Sequence, residues 1–141
     1  MHIERHETGP RFSEMTIANF GDSKLIFIAG QVAENTSLDI GGQTREVLGF
    51  IDRLLEHVGA RREHIVSARI YLASVGDYAE MNAVWDSWVV PGHTPARSTI
   101  GAKLINGAYK VEIEATAAFT PSSPHAHDEN CEKPHSDIDL R

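Results

Sequence analysis

The sequence predicts a mixed-sheet domain of the α/β or α+β class, with two helices covering one face of the sheet. Three observations lead there. Two segments carry apolar residues at helical spacing, several others are short apolar or alternating runs, and turn chemistry separates them. The predicted order is strand, strand, helix, strand, helix, strand, strand.

Met15 to Phe20 alternates loosely and is read as the first strand. Asn19-Phe20-Gly21-Asp22-Ser23 supplies hairpin turn residues. Leu25-Ile26-Phe27-Ile28-Ala29 follows as a short apolar run ending at Gly30, whose length and β-branched content favour a buried strand. Gly41-Gly42 opens the next segment, in which Val47, Phe50, Ile51, Leu54, Leu55 and Val58 form one helical face. Gly59 stands where a left-handed residue ends such a helix. Ile65 to Leu72 alternates as a strand. Ser74 and Asp77 are candidate N-caps for a second helix carrying Tyr78, Met81, Val84, Trp85 and Trp88. Pro91-Gly92 ends it. Arg97 to Leu104 is read as extended, Ile105 to Ala108 as a turn with an Asn-Gly hairpin signal, and Tyr109 to Phe119 as an alternating strand. Val111, Ile113 and Ala115 share one of its faces, and Glu112, Glu114 and Thr116 share the other.

Strands joined through helices tend to pair in parallel by right-handed crossovers, and the end hairpins add antiparallel strands. Two crossover helices cover one sheet face. Nothing left in the chain covers the other, so the sequence predicts association with further copies.

The chain of 141 residues is long enough for one domain with a normal core. The domain is expected over residues 1–120. From Pro121 onward, three prolines, five acids and three histidines occur without an aromatic residue, which predicts a polar, disordered tail over 121–141. A formal net charge of −7 argues against binding nucleic acid through its phosphates. No apolar run is long enough for a membrane span, and no secretory pattern opens the chain. The lone Cys131 suits a reducing compartment, so a cytoplasmic location is expected.

Phosphate-binding glycine loops, paired-cysteine motifs, H-E-x-x-H and G-x-S-x-G are all missing from the sequence. His125, His127, Cys131 and His135 in the tail are potential zinc ligands, but chance histidines in a solvated tail are the simpler reading. Trp85 and Trp88 fit core packing better than a pocket wall. Arg97 enters a strand just after Thr94-Pro95-Ala96, where a guanidinium can grip a carboxylate through two parallel hydrogen bonds. Glu112 and Glu114, past the predicted hairpin, are placed near Arg97 across the sheet. Spacing alone favours an ordinary surface ion pair over a site.

Sequence strings shift that balance. Ala29-Gly30-Gln31 after a strand, Pro95-Ala96-Arg97-Ser98-Thr99, and Val111-Glu112-Ile113-Glu114-Ala115 occur in this order, with Gly9-Pro10 and Met81-Asn82. Together they resemble the RidA/YjgF family, the reactive intermediate deaminases, across nearly all of residues 9–119. Met81 to Val90 is most similar to a side branch of that family. The resemblance implies a chorismate-mutase-like α+β fold assembled as a homotrimeric barrel, with ligand clefts between subunits. It implies hydrolysis of enamines and imines, turning 2-imino acids into 2-keto acids and ammonia, with no cofactor and no metal. Arg97 falls on the family's carboxylate-binding arginine and Glu112 on its water-positioning glutamate, while Phe12, Ala29, Gly30 and Thr99 fall on substrate-binding positions. Arg11-Phe12 stands where a tyrosine is usual, so the phenol hydroxyl is missing there. Ala29 replaces a serine and Thr99 a cysteine, and Thr99 is expected to contribute mainly its backbone. The alternative is a non-catalytic trimer that senses a small carboxylate, and a third reading is hydrolysis of a related C–N bond.

Overall fold

The computed structural model describes residues 1–121. The predicted tail beyond Pro121, with His125, His127, Cys131 and His135, lies outside the described residues. Strands β1 (His2–Thr8), β2 (Ser13–Phe20) and β3 (Ser23–Val32) are followed by helix α1 (Ile40–His57) and strand β4 (Ile65–Leu72). Helix α2 (Tyr78–Trp88) and strands β5 (Ala96–Gly101) and β6 (Val111–Phe119) complete the order. One six-stranded mixed sheet results, with spatial order β1-β2-β3-β6-β4-β5. The fold is α+β, as expected, with two helices on the sheet.

The elements whose local chemistry was clearest formed as predicted. β2 and β3 make a tight hairpin in which Phe20 pairs with Ser23 and Gly21 takes φ 59°, a conformation open to glycine at little cost. α1 begins at Asp39, whose carboxylate accepts from the Gly42 backbone N–H at 2.8 Å. It ends at Gly59, φ 81°, with the Gly59 N–H bonded to Glu56 O and the Ala60 N–H to Leu55 O, a Schellman closure. Val47, Leu48, Ile51, Leu54 and Leu55 of α1 are buried against Met15, Ile17, Ile26, Ile70, Ile113 and Ala117 of the sheet. Trp85 and Trp88 join this core at 6% and 8% exposure, so core packing is their main role.

Four expectations are corrected. β1 was not predicted, because His2–Thr8 has Ile3 as its one apolar residue and gains its order by antiparallel pairing with β2. Asp77 does take the N-cap position of α2, and Ser74 caps the short turn before it, but neither side chain makes the expected capping hydrogen bond. The Asn106-Gly107 turn does not close a hairpin. Asn106 instead folds the chain back on itself, its Oδ1 accepting from the Ala108 N–H and its carbonyl from the Tyr109 N–H. β5 therefore pairs in parallel with β4, while β6 inserts between β3 and β4, antiparallel to both. The crossover through α1 accordingly joins β3 and β4, which run in the same direction but are separated by β6.

A polar clamp joins the two helices. Arg62, just before β4, donates to both oxygens of Asp52 on α1 at 2.8 and 2.9 Å and to the Trp88 carbonyl at 3.1 Å. The Trp88 indole N–H donates to Asp52 at 3.0 Å. The hydrogen bond to Asp52 is the main reason the Arg62 pKa is raised, outweighing the opposing effect of burial. Asp52→Ala strands a part-buried guanidinium and an indole N–H. It is expected to cost about 2 kcal/mol and to lower Tm by roughly 10 °C. Thermal unfolding followed by circular dichroism checks this, and a shift below about 2 °C would show that water replaces Asp52 at no cost.

Among the described residues the other sheet face carries no helix. Phe27, Val66 and Ile100 are each nearly half exposed. A cavity of about 470 Å³ is lined by Thr16, Phe27, Ser67, Arg69, Glu114 and Thr116, among others.

Candidate functional site

Strand register decides which predicted site residues meet. Arg97 pairs with Ala68 and Thr99 with Ile70 on β4, and those two pair with Ala115 and Ile113 on β6. All four partners are buried beneath the helices. Arg97 and Thr99 therefore leave the sheet on its helix-covered side, at the β5 edge. Glu112 belongs to the opposite alternation, opposite Tyr71, on the face without helices. Arg97 and Glu112 lie two strands across and three residues along, which sets their Cα atoms about 14 Å apart with side chains on opposite faces. The expectation that they approach each other across the sheet of one chain is wrong. The reason is β6, which sits beside β4 instead of returning next to β5.

Around Glu112, the chain bulges. Between Ile28 and Gln31, β3 advances three residues while β6 advances two. Ala29 and Gly30 occupy this bulge. A Cβ built on Gly30 would lie 2.9 Å from both the Glu112 Cδ and Oε2 atoms, so glycine lets the Glu112 side chain lie across the backbone at this point. Gln31 donates to Glu14 Oε2 at 2.8 Å and to the Ala29 carbonyl at 3.0 Å, which ties the bulge to the start of β2. Phe12, 60% exposed, and Gly30 line a cavity of about 620 Å³ with Glu14, Phe50, Arg53 and His57. Ala29 lines the smaller cavity on the open face instead.

The two strand glutamates have different surroundings. Glu114 Oε1 accepts from the Tyr71 hydroxyl at 2.8 Å and lies 3.5 Å from Arg69 Nη1. Glu112 has no salt-bridge cation within reach among the described residues. Its pKa is raised from the usual 4.5, first by burial and then by the charge of Glu114. Burial without a counter-charge favours the neutral acid.

Around Arg97, every contact partner is neutral. Nη1 donates to Asn82 Oδ1 at 2.8 Å, Nη2 donates to the Tyr78 hydroxyl oxygen at 3.4 Å, and the guanidinium carbon lies 5.3 Å from the Trp85 ring centroid. Among the described residues no carboxylate pairs with it. Thr99 follows two residues later on the same face. Its hydroxyl is buried without a hydrogen-bond partner among the described residues, more than the backbone role expected of it. Tyr78, Asn82 and Trp85 were not predicted as site residues. Their spacing of four and three places them on one face of α2; the helical pattern of the sequence includes Tyr78 and Trp85 as core residues, and Asn82 enters it only through the Met81-Asn82 pair.

The predicted residues thus form two groups in one chain: Phe12, Gly30 and Glu112 with the adjoining Ala29, and Arg97 with Thr99. Among the described residues no three of His, Cys, Asp and Glu converge as a metal centre, and no helix is long and apolar enough to cross a membrane.

Comparison with known proteins gives a consistent result. The family model described as endoribonuclease L-PSP matches residues 6–119. A RutC family protein of Haemophilus ducreyi is 42% identical over 117 residues, covering 83% of this chain and 97% of that protein. The RutC family protein YoaB of Escherichia coli is 42% identical over 118 residues, covering 84% and 99%. Among solved structures, a YjgF family member from Neisseria meningitidis superposes with a TM-score of 0.80 at 44% identity, covering 86% of this chain and 98% of that one. A member of the YjgF/YER057c/UK114 family from Mycobacterium tuberculosis gives a TM-score of 0.71 at 26% identity, covering 84% and 100%. With a family model spanning nearly the whole described domain and relatives matched almost end to end, the chain belongs to the RidA/YjgF family.

Proposed function

We propose that the protein is a cofactor-independent deaminase that hydrolyses small 2-imino acids to 2-keto acids and ammonia. The observation that carries this reading is a pair of charges without counter-charges. Among the described residues, Arg97 is held in place by neutral groups only, and Glu112 is a part-buried carboxylate without a cation. A guanidinium positioned but not neutralised is a receptor for a ligand carboxylate. A carboxylate whose pKa is raised is a better base toward water.

The two groups lie too far apart to act on one small molecule within one chain, so the site is completed by a neighbouring copy. The helix-free sheet face, with Phe27, Val66 and Ile100 exposed, gives the copies apolar surface to bury. We take the assembly to be a homotrimer, in which Arg97 of one subunit and Glu112 of the next face a shared cleft. Arg97 grips the substrate carboxylate. Glu112 takes a proton from water as its oxygen adds to the C=N carbon, and the nitrogen is protonated. In the resulting carbinolamine the hydroxyl proton passes to the nitrogen, a C=O bond forms, and the C–N bond breaks to expel ammonia. No electron acceptor is needed, because imine carbon and keto carbon have the same oxidation level.

The family model's description names an endoribonuclease. A formal net charge of −7 argues against phosphate-backbone binding by this chain.

The experiment is release of pyruvate from freshly generated 2-iminopropionate, with the mass of the protein measured in solution. The expected results are acceleration over buffer and a mass of three chains. No acceleration together with tight binding of a 2-keto acid would select the non-catalytic sensor instead, and a monomer would remove the shared cleft.

A further inference from the structure

We infer that Tyr78 is a substrate-contacting residue whose phenol hydroxyl donates a hydrogen bond to the same carboxylate that Arg97 grips. This rests on the deaminase reading above and adds to it a donor that none of the residues assigned so far supplies.

Three observations carry it. Tyr78 opens α2 and is 48% exposed, whereas Trp85 and Trp88 further along the helix are 6% and 8% exposed. Its ring is therefore not held there by core packing. Its hydroxyl oxygen lies 3.4 Å from Arg97 Nη2 and accepts from it. A guanidinium has no acceptor to offer in return, and no other hydrogen bond from the Tyr78 side chain is made, so the phenol proton has no acceptor among the described residues. Finally, Asn82 holds the other terminal nitrogen, Nη1, at 2.8 Å, and Trp85 backs the guanidinium plane. The open side of the guanidinium is then the side shared with the Tyr78 hydroxyl.

The chemistry follows from who can donate to whom. A carboxylate accepts at two oxygens with several lone pairs. One that bonds to Nη2 at ordinary hydrogen-bond length brings an oxygen within hydrogen-bond reach of a hydroxyl only 3.4 Å from that nitrogen. By accepting from the guanidinium, the phenol becomes a better donor to the carboxylate, since successive hydrogen bonds polarise one another. The pair distinguishes a carboxylate from a neutral amide. Two donors converge on an anion with acceptors to spare, whereas an amide NH₂ would meet them with hydrogens of its own. Asn82 is a positioning residue in this arrangement, since it acts through Arg97.

Tyr78→Phe isolates the claim, because it keeps the ring 6.0 Å from the guanidinium carbon and removes only the O–H. The carboxylate bond is made equally in the ground state and the transition state, so its loss appears in KM and not in kcat. The full-length assembled protein is assayed with 2-iminopropionate, and pyruvate, which offers the same carboxylate without the imine, is titrated by calorimetry. The expected result is a KM raised about tenfold, a kcat within about twofold of wild type, and pyruvate binding weakened by the same factor as KM. An unchanged KM and unchanged pyruvate affinity overturn the inference, as does a fall in kcat alone. The outcomes separate from failure of the deaminase reading. If the wild type does not accelerate hydrolysis but binds pyruvate, and Tyr78→Phe weakens that binding, the deaminase is lost and the carboxylate donor stands. If the wild type binds no pyruvate and turns over no imine, both fall.

Discussion

Replacing Arg97 with alanine is expected to lower kcat/KM for a small 2-imino acid by roughly 10²- to 10³-fold while changing stability by less than about 1 kcal/mol. The large effect comes from removing a charge-assisted, two-pronged grip on the substrate carboxylate. The small one comes from its setting, a sheet edge where, among the described residues, Arg97 bonds only to Asn82 and Tyr78 and pairs with no carboxylate. A surface ion-pair residue would behave in the opposite way, with no effect on turnover. Equal rates for Arg97→Ala and wild type in the pyruvate-release assay would therefore return Arg97 to that dull role. Arg97→Lys is an informative companion. It keeps the charge but loses the planar fork, so it should recover only part of the loss. The separation of Arg97 from Glu112 adds a sharper test. Subunits carrying Arg97→Ala and subunits carrying Glu112→Gln are each expected to be inactive alone. Refolded together in equal amounts, they should regain about a quarter of the wild-type sites, since a shared cleft is intact when an unmodified Arg97 meets an unmodified Glu112 from the next copy. A site lying within one chain would regain nothing.

Some of this was legible in the residues and some was not, for reasons that differ by element. Helix α1 carried its face and its terminal Gly59 in local sequence, and both do what local chemistry dictates, while its N-cap, Asp39, lies two residues before the Gly41-Gly42 pair expected to open it. The alternation of β6 was equally plain, because a strand buried on one face must alternate. β1 was invisible. Its order depends on β2 as a template, and His2–Thr8 carries no apolar face. The position of β6 was also hidden, since Asn106-Gly107 is a sound hairpin signal and only the non-local ladders with β3 and β4 outcompete it. That one misplacement put Arg97 and Glu112 side by side in expectation when they lie on opposite faces. Spacing likewise offered no choice between Glu112 and Glu114. The resemblance selects Glu112, and the two differ in tertiary partners, with Tyr71 and Arg69 against Glu114 and Gly30 against Glu112. Tyr78, Asn82 and Trp85 teach a related lesson. A helix face can be core at one end and a cradle for a cation at the other.

Glu112→Gln is expected to reduce kcat by about 10²- to 10⁴-fold, the usual contribution of a positioned base, and at the same time to stabilise the protein at neutral pH. The second effect follows from the raised pKa of Glu112, caused first by burial and then by Glu114. In the unfolded chain this carboxyl titrates near 4.5, so between that value and the higher folded one the native state binds more protons than the unfolded state. Stability then falls as pH rises through this window. The penalty for the ionised carboxylate is fully present above the folded pKa and absent below 4.5. Glutamine has nearly the same shape and never ionises, so the variant should melt higher than wild type at pH 7 to 8, and the difference should close as the pH is lowered past 4.5. The pH dependence of the difference is the telling quantity, because an amide that merely packs better or worse would shift Tm by a constant amount. The same raised pKa predicts that wild-type kcat declines on the acid side with a midpoint above 4.5, since only the ionised carboxylate accepts a proton from water. Paired melts and rate profiles over that range test both. Full activity in Glu112→Gln would remove the base from the mechanism. A stability gain that persists unchanged at low pH would show that Glu112 is not ionised at a cost in the folded protein. A residue that weakens the fold while speeding the reaction is what a base held in part-buried, uncompensated form must be.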